Sequence, residues 1–469
     1  MNILLISPPT TIEERYSARI TKKAGYLPPI GLLQIAAVLE EKNHGVKVLD
    51  LAVSDNPLEE FKGLLRGFAP EIVCFSISSL NASKAFMLAR IADEAKNPLI
   101  VFGGPHCMVF QQKILQEHGC IDVVVVGDGE YAMLEITEAA RNKKSLRSIK
   151  GIYFRDNKGN IVKTPKRMLI KALDELPFPA YHLLDLNKYL PLPHHYKRLP
   201  AINVVTSRGC PWGKCTFCFE SIHSGHFRRM SPKRAVDLVK MLTDAYGIKE
   251  ISFWDDIFTM PQAWVHEFCE LVKREKIDIT WSCYSKVDTV NLELLKVMAS
   301  AGCWNIFYGL ESGNQDLLDR IKKGTTLEQA RNAIKWSKQA GIETRGAFML
   351  ALPGENSEKA NKTIDFARGL DLDYVQFSYT TPYFGTMLHK QCSNEGMLEH
   401  DFSKYSTFEP VYLPNGYESR KELEKIFKKA YKMTYLRPKY LYKKFIDIRS
   451  FDDVKRLYQG LKILFYFIK

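Results

Sequence analysis

The 469-residue sequence contains no run of about 18 apolar residues, and it therefore predicts no membrane-spanning helix. Its first ten residues, MNILLISPPT, lack the basic segment of a secretory signal and read as a first β-strand. Without such a signal, the ten cysteines favour free thiols or metal ligands over disulfides, and we expect a cytoplasmic protein. Apolar residues at 46% and charged residues at 25% exclude a disordered or fibrous chain, and the length predicts two or three domains.

Most of the chain also lacks a strong excess of charge of one sign. The net charge is +13, and residues 420–469 carry fifteen Lys or Arg against five Asp or Glu. A nucleic-acid-binding protein would carry its basic residues on its folded domains, so no nucleic-acid partner is expected. Eleven aromatic residues share this basic tail, which predicts a helical C-terminal region over residues 401–469. That region either packs on the preceding domain or lies on anionic lipid, as a peripheral contact at the inner membrane surface.

Two alternations of apolar runs and amphipathic stretches predict an α/β protein. In residues 1–141 the alternation predicts a doubly wound parallel sheet. Its predicted strands are 3–7, 47–51, 72–76, 99–102 and 123–126, and its predicted helices are 31–42, 58–66, 83–95 and 131–141. Residues 142–200, rich in proline, are predicted as a linker. Residues 201–400 predict a partial (β/α)6 barrel, with strands at 202–206, 250–254, 280–283, 305–310, 343–349 and 373–379.

Three cysteines fall within nine residues, directly after the first strand of the second alternation: Cys210, Cys215 and Cys218. A zinc site would need a fourth ligand, for which His223 and His226 are the nearest candidates. Three cysteines without an obvious fourth ligand fit a 4Fe–4S cluster that leaves one iron open. The residues alone leave both interpretations open.

The cysteine loop resembles that of the radical S-adenosylmethionine (SAM) enzymes, whose three cysteines follow the first strand of a partial barrel. Four residues separate Cys210 from Cys215, whereas the family has three. Phe217 matches the aromatic residue that packs on the adenine in that family. The resemblance implies a 4Fe–4S cluster on the three cysteines and SAM on its open iron. It also implies a 5′-deoxyadenosyl radical and an external electron donor such as a flavodoxin or ferredoxin.

Polar and aromatic residues of the later barrel strands extend the resemblance. It implies SAM contacts at Phe217, Trp254, Asp255, Lys286, Glu311 and Arg345. Each is weak evidence alone, because an acidic residue at a strand end is commonly a helix cap and a single lysine is commonly on the surface. Their order behind the cysteine loop is what favours a SAM site.

The first domain resembles the cobalamin-binding, Rossmann-like domains of the same enzymes. Small residues that would admit the ligand follow three predicted strands, at Ser76, Ser78, Gly103, Gly104, Gly127 and Gly129. The Asp-x-His-x-x-Gly that supplies a lower cobalt ligand is absent, as in the cobalamin-dependent radical SAM methylases, and His106 is an alternative ligand. A Gly-x-Gly-x-x-Gly after the first strand is also missing, which counts against a dinucleotide.

Together these features imply an enzyme, a cobalamin-dependent radical SAM methyltransferase. It would methylate an unactivated carbon or phosphorus centre of a small-molecule or lipid-like substrate. Two alternatives stay open. The same cofactors can serve cyclisation or rearrangement without methyl transfer, and a non-catalytic cobalamin sensor can carry a structural metal. No motif fixes the substrate.

Overall fold

A computed structural model describes residues 1–11, 14, 25–192, 195–219, 226–438, 440–442 and 451–468. The chain divides into two compact units. The first comprises Met1–Thr11 and Tyr26–Tyr189, and the second comprises Ile12–Gly25 and Leu190–Lys469. Within the described residues, no helix is both long enough and apolar enough to cross a bilayer.

The first unit contains one seven-stranded sheet. Its strands are β1 (Asn2–Ser7), β2 (Gly45–Asp50), β3 (Ile72–Ser76), β4 (Leu99–Gly103), β5 (Val123–Val125), β6 (Ile152–Arg155) and β7 (Ile161–Lys163). Its helices are α1 (Ile30–Glu40), α2 (Pro57–Gly67), α3 (Ala82–Lys96), α4 (Pro105–Phe110), α5 (Gln112–Glu117) and α6 (Glu130–Arg141). The strand order is β2-β1-β3-β4-β5-β6-β7, and β1 to β5 run parallel.

The parallel part of this sheet confirms the predicted doubly wound fold. Alternate residues of β1 pack into cores on opposite faces, Leu4 and Ile6 on one and Ile3 and Leu5 on the other. Burial on both faces explains why these strands read as continuous apolar runs. The strand order reverses between β1 and β3, and ligands of such sheets bind beside the carboxyl ends at that point.

Part of the segment that was predicted as a linker belongs to the first sheet. β6 pairs antiparallel with β5, and β7 pairs antiparallel with β6. The turn between them contains Gly159 at a φ of +80°, a conformation that favours glycine. Strands of four and three residues are too short to show the alternation that predicts a strand. Helices α4 and α5 were missed for the same reason, since each has only six residues.

The second unit contains the barrel. Its strands are β8 (Ala201–Val204), β9 (Ser207–Arg208), β10 (Arg228–Arg229), β11 (Glu250–Phe253), β12 (Thr280–Ser285), β13 (Cys303–Glu311), β14 (Glu343–Leu350), β15 (Tyr374–Tyr379), β16 (Gly396–Leu398) and β17 (Tyr412–Pro414). Its helices are α7 (Pro232–Tyr246), α8 (Gln262–Arg274), α9 (Leu292–Ser300), α10 (Gln315–Arg320), α11 (Leu327–Gln339), α12 (Ser357–Gly369), α13 (Met387–Asn394), α14 (Arg420–Tyr435) and α15 (Phe451–Ile468).

Six parallel strands form the barrel wall in the order β15-β14-β13-β12-β11-β8. β8 and β15 are the two edges of this sheet, so the barrel is open, and the predicted partial (β/α)6 barrel is confirmed. Two antiparallel hairpins, β9–β10 and β16–β17, lie outside the wall.

The C-terminal helices protect one edge of the barrel. The Tyr431 hydroxyl donates to the carbonyl of Phe377 at 3.0 Å and accepts from its amide at 3.2 Å. The Tyr435 hydroxyl does the same for Val375, at 2.6 and 2.9 Å. These hydroxyls satisfy backbone groups that an edge strand leaves open. α15 packs on α14, where Phe467 stacks on Tyr431 with ring centres 4.8 Å apart.

Candidate active site

The cysteine loop is anchored on both sides by backbone hydrogen bonds. Cys215 is buried, and Cys210 and Cys218 are half-buried. The amide of Thr216 donates to the carbonyl of Ile321 at 3.0 Å, and its own carbonyl accepts from Leu388, in α13, at 2.9 Å. The three cysteines are therefore held between the turn after α10 and the start of α13.

Trp212 occupies the four-residue spacer between the first two cysteines and fastens it to the same turn. Its Nε1 donates to the carbonyl of Lys322 at 3.0 Å. The ring covers Gly324 so closely that a Cβ there would lie 2.0 Å from Cζ2 of Trp212. The ammonium of Lys286 lies over this ring, 4.3 Å from its centre. The same ammonium forms an ion pair with Asp288 at 2.6 Å. Lys286, predicted to contact SAM, thus also braces the cysteine loop.

Lys323, which the sequence analysis did not single out, supplies charge beside the cysteines. It forms an ion pair with Glu311 at 2.7 Å. Burial opposes its charged form, but the charges of Glu311 and Cys215 raise its pKa above the ordinary value. Burial raises the pKa of Cys215 to about 11, while Lys323 acts to lower it. A cation at this place stabilises thiolates, which are the form that binds iron.

Glu311 is held in a strained conformation at the end of β13. Its φ of +63° lies in the left-handed region, which costs a non-glycine residue about 1–2 kcal/mol. Gly309 leaves the necessary room, since a Cβ there would lie 2.6 Å from Oε1 of Glu311 and 2.9 Å from Nζ of Lys323. Such strain clusters at ligand sites, where one side chain has to reach one point. Glu311 therefore stays a candidate for the SAM contact that the resemblance implies.

Phe217 and Trp254, two further predicted SAM residues, present ring faces near the strand ends. The Phe217 ring packs beside Leu317 and Ile321, and Lys323 lies 5.8 Å from its centre. Trp254 is 40% exposed and donates from Nε1 to the hydroxyl of Ser252 at 3.1 Å. Both rings are accessible to a planar ligand, and their SAM contacts stay predictions.

The structure gives Asp255 a positioning role in place of the predicted direct contact. Its carboxylate is 1% exposed and accepts from the amide and hydroxyl of Thr206 at 3.1 and 2.8 Å, and from the hydroxyl of Ser207. These bonds fix the backbone at the entrance of the cysteine loop. The sequence showed that Asp255 follows a strand. It could not show that Thr206 and Ser207 would donate hydrogen bonds to its carboxylate.

Arg345 lies in the same register row as Trp254, opposite Phe307. It is the third of the eight residues of β14, about 17 Å along the strand from its carboxyl end. There its Nε donates to Oδ1 of Asn305 at 2.6 Å. The SAM contact of Arg345 stays a prediction, and the bond to Asn305 holds its side chain inside the barrel.

The described residues do not support zinc. A zinc ion holds its thiolates within about 4 Å of one another, because each Zn–S bond is about 2.3 Å long. No group of three His, Cys, Asp or Glu side chains in the described part of the chain could hold such an ion. His223, one candidate fourth ligand, lies outside the described residues.

The predicted cobalamin residues share one edge of the first sheet, at or just beyond the ends of β3, β4 and β5. Gly104 has a φ of +95°, and a Cβ there would lie 2.7 Å from the carbonyl oxygen of Ile77 and 3.2 Å from Oγ of Ser76. Gly127 has a φ of +104° and has open space where a Cβ would be. Gly104 therefore lets the turns after β3 and β4 approach each other closely, whereas Gly127 leaves open space that fits the insertion of a nucleotide tail.

His106 packs into the protein instead of presenting a free ring nitrogen. It is 3% exposed, its Nδ1 lies 3.1 Å from Oγ of Ser79, and its ring stacks on Phe110 at 4.3 Å. Burial and the charge of His118 lower its pKa to about 4. These contacts disfavour His106 as a lower cobalt ligand.

Comparison with known proteins agrees with both of these predicted cofactor sites. The family model of the B12 binding domain matches residues 16–137, and that of the radical SAM superfamily matches residues 204–367. The uncharacterised methyltransferase PH0819 of Pyrococcus horikoshii is 35% identical over 469 residues, which are 99% of each chain. The chain belongs to the B12-binding radical SAM enzymes. Its cofactors are accordingly a 4Fe–4S cluster, SAM and cobalamin, as predicted.

More distant relatives of this B12-binding radical SAM enzyme differ in their named reactions. The cytidylyl-2-hydroxyethylphosphonate methyltransferase of Streptomyces wedmorensis is 27% identical over 86% of this chain and 84% of its own. The anaerobic magnesium-protoporphyrin IX monomethyl ester cyclase of Rubrivivax gelatinosus is 26% identical over 91% and 76%.

Two solved structures share the fold. OxsB, with aqua-cobalamin and SAM bound, has a TM-score of 0.73 at 17% identity and covers 98% of this chain and 71% of its own. TsrM from Kitasatospora setae, with tryptophan and a SAM analogue bound, has a TM-score of 0.67 at 18% identity, with 88% and 80% covered.

Proposed function

We propose that this enzyme transfers a methyl group from SAM, by way of cobalamin, to an unactivated carbon or phosphorus atom of a small molecule. The observation that carries the proposal is the match to PH0819, a named methyltransferase, over 99% of both chains. TsrM, titled a radical SAM methyltransferase and solved with tryptophan, has the same fold and supports a substrate of small-molecule size.

The proposed cluster ligands are Cys210, Cys215 and Cys218. When bound, the cluster and SAM supply a 5′-deoxyadenosyl radical, and cobalamin supplies the methyl group. Lys323 balances the negative charge of the thiolates, and its ion pair with Glu311 fixes the position of that carboxylate. Glu311 then accepts from a ribose hydroxyl while Phe217 covers the adenine. Asp255 holds the loop entrance, so that the cysteine positions are set before any ligand binds.

For cobalamin we propose the small residues at the edge of the first sheet: Ser76, Ser78, Gly103, Gly104, Gly127 and Gly129. The glycines admit the ligand because they expose backbone, and no side chain of theirs competes for the space. The packing of His106 supports binding without a histidine below the cobalt.

Two partners are part of the proposal. An external one-electron donor such as a flavodoxin or ferredoxin reduces the cluster, since radical formation needs one electron per SAM cleaved. Helix α15 lies on anionic lipid through its exposed side chains Val454, Tyr458 and Phe465. Cosedimentation with phosphatidylcholine vesicles, with and without phosphatidylglycerol, tests this contact, and a Phe465→Asp variant that still binds equally well would contradict it.

Product analysis tests the reaction. The protein is reconstituted anaerobically with iron, sulfide and hydroxocobalamin, supplied with SAM and a strong reductant, and its SAM-derived products are quantified by mass spectrometry. We expect cobalamin-dependent formation of both S-adenosylhomocysteine and 5′-deoxyadenosine. Both should be lost in Cys215→Ala and retained in Cys120→Ala, a half-buried cysteine of the first unit. Neither product from the wild-type protein would refute the proposal.

Cyclisation without methyl transfer is the second candidate, because the Rubrivivax cyclase aligns with 91% of this chain. The same experiment separates the two reactions. A cyclase would form 5′-deoxyadenosine without S-adenosylhomocysteine, whereas a methyltransferase forms both.

A further inference from the structure

A row of polar side chains crosses the interior of the barrel at the third residue of four neighbouring strands. Asn203, Ser252, Ser282 and Asn305 stand opposite one another on the neighbouring strands β8, β11, β12 and β13. All four are buried. Apolar side chains are the usual filling of a parallel barrel. Four polar residues in register therefore need a partner or a function.

Three buried polar atoms of this region lack a hydrogen-bond partner in the described part of the protein. They are Oδ1 of Asn203, Nδ2 of Asn305 and Nη1 of Arg345. Each such atom costs about 1–3 kcal/mol if nothing pairs with it. Such atoms are normally paired with water or with a bound ligand, and these three share one region of the barrel.

The charge of Arg345 is also unbalanced. Arg345 is 3% exposed and makes no ion pair with any described residue. The carboxylate whose charge acts on it is Glu250. Both oxygens of Glu250 are engaged elsewhere, one by the amides of Lys197 and Arg198 at 2.6 and 2.7 Å and the other by Nε1 of Trp304 at 2.9 Å. A buried cation without a counter-ion is unfavourable unless a ligand supplies one.

Aromatic rings stand in one register row with this arginine, since Arg345 lies opposite Phe307 and Phe307 lies opposite Tyr284, which is level with Trp254. Trp254 meets Tyr284 edge-on with ring centres 5.8 Å apart, and Tyr284 lies 5.0 Å from Phe307. The guanidinium of Arg345 lies 5.3 Å from the centre of the Phe307 ring. Trp254 is 40% exposed, and Tyr284 and Phe307 are half-buried. The row is thus aromatic, with the exposed Trp254 at one end and the buried cation of Arg345 at the other.

We propose that Arg345 and Asn305 form a subsite inside the barrel for an anionic oxygen group of the substrate, a carboxylate or a phosphate. Nη1 of Arg345 and Nδ2 of Asn305 donate to the anionic oxygens, and the planar or apolar part of the substrate lies along Trp254, Tyr284 and Phe307. Arg345 is fixed for this task by the bond from its Nε to Asn305. The inference depends on the proposed function in one respect, because it takes the bound ligand to be the substrate of that reaction.

Fluorine NMR titration of the reconstituted holoenzyme tests the subsite with three probes: 4-fluorobenzoate, 4-fluorophenylphosphonate and 4-fluorobenzamide. Fragments of this size bind in the millimolar range. We expect at least one of the anionic probes to bind about tenfold more tightly than the neutral amide, because only the anion pairs with the arginine. The better anion identifies the substrate group as carboxylate or phosphate.

Variants locate the binding. Arg345→Gln should abolish the preference for the anion, and Arg345→Lys should restore part of it. Arg331→Gln, an exposed arginine on α11, should leave the preference unchanged. Trp254→Leu should weaken the anionic and neutral probes by the same factor. Arg345→Gln removes an unpaired buried charge. We therefore expect the melting temperature of this variant to equal or exceed that of the wild type.

Three results would overturn the inference. They are equal binding of anion and amide to the wild type, an anion preference that survives in Arg345→Gln, and a marked loss of thermal stability in that variant, which would make Arg345 structural. If ordered water occupies the barrel in place of an anion, the wild type would bind the anion and the amide equally. None of the measurements needs turnover. The reaction assay can therefore fail while the anion preference stands, or the reverse, and the two failures are distinguishable.

Discussion

The proposed ligand sites at the carboxyl ends of the two parallel sheets are built from different kinds of residues. In the first sheet this edge consists of small uncharged residues such as Ser76, Gly104 and Gly127, and a Cβ at Gly127 would meet open space. In the barrel the same edge carries buried charges, with Lys323 and Glu311 as an ion pair. The first edge therefore leaves space for a ligand, whereas the second places charged side chains beside the ligand site.

This difference predicts which substitutions each edge tolerates. An edge that works by leaving space is sensitive to added atoms and insensitive to distant charges. An edge that works by paired buried charges is sensitive to the loss of one partner, because the remaining charge has no water to solvate it. Substitutions at the two edges should therefore separate cobalamin binding from SAM and cluster binding.

The largest effect is expected for Lys323→Met. Removing one member of a buried ion pair typically costs about 3–5 kcal/mol, because it leaves Glu311 as an unpaired buried charge. SAM affinity, measured by equilibrium dialysis on the reconstituted enzyme, should fall at least about tenfold, and cobalamin binding should not change. Lys322→Met, at the exposed neighbouring position, is the control. Equal SAM affinity in the two variants would mean that the barrel edge does not act through this charge.

Gly104→Ala should produce the reverse pattern at the first sheet. The new Cβ would lie 2.7 Å from the carbonyl oxygen of Ile77, at a φ of +95° that already costs alanine about 1–2 kcal/mol. Cobalamin retained after gel filtration should drop severalfold, while the iron content stays at the wild-type value. In Gly119→Ala the added Cβ meets nothing within 4 Å, and its cobalamin content should be normal. Full cobalamin retention in Gly104→Ala would contradict the role of space.

A pH dependence sharpens the comparison at the barrel edge. Burial raises the pKa of Glu355, just after β14, to about 7, although bonds from Tyr417 and the amide of Ala351 act to lower it. Between about pH 4.5 and 7 the folded protein keeps this proton and the unfolded chain releases it, so stability falls as the pH rises through that window.

Glu355→Gln should remove this dependence, which amounts to about 1–3 kcal/mol. Thermal unfolding measured from pH 4.5 to 8 tests it, with the exposed Glu328→Gln as a control that keeps the wild-type slope. A wild-type slope in Glu355→Gln would assign the titration to another group.

Both sheets could be predicted from the sequence because their strands are buried on two faces and their helices repeat at regular distances. The cysteine loop was predictable because three cysteines so close together have few uses. The β6–β7 hairpin was not, since its strands have only four and three residues.

The charge network escaped prediction for a different reason. Lys323 follows Glu311 by twelve residues, across a helix and a turn, and only the fold brings the two together at 2.7 Å. Arg345 was placed correctly on its strand, since the predicted bounds agree with β14, but its bond to Asn305 depends on the neighbouring strand. Asp255 looked like a ligand contact until the hydrogen bonds from Thr206 accounted for its carboxylate. Sequence identifies such residues, whereas the register of neighbouring strands decides their partners.

The smallest expected effect is a pH dependence of opposite sign at the first sheet. Because burial lowers the pKa of His106 to about 4, the unfolded chain takes up a proton below about pH 6.5 that the folded protein refuses. Acidification should then destabilise β4 and α4 by about 1–2 kcal/mol, while the segment around Glu355 gains stability. Hydrogen exchange followed by mass spectrometry resolves the two segments in one sample. His106→Phe should remove the acid sensitivity of β4 alone, and the exposed His182→Gln should not. If acid changes the stability of both segments in the same direction, the two edges do not differ in their buried titrating groups.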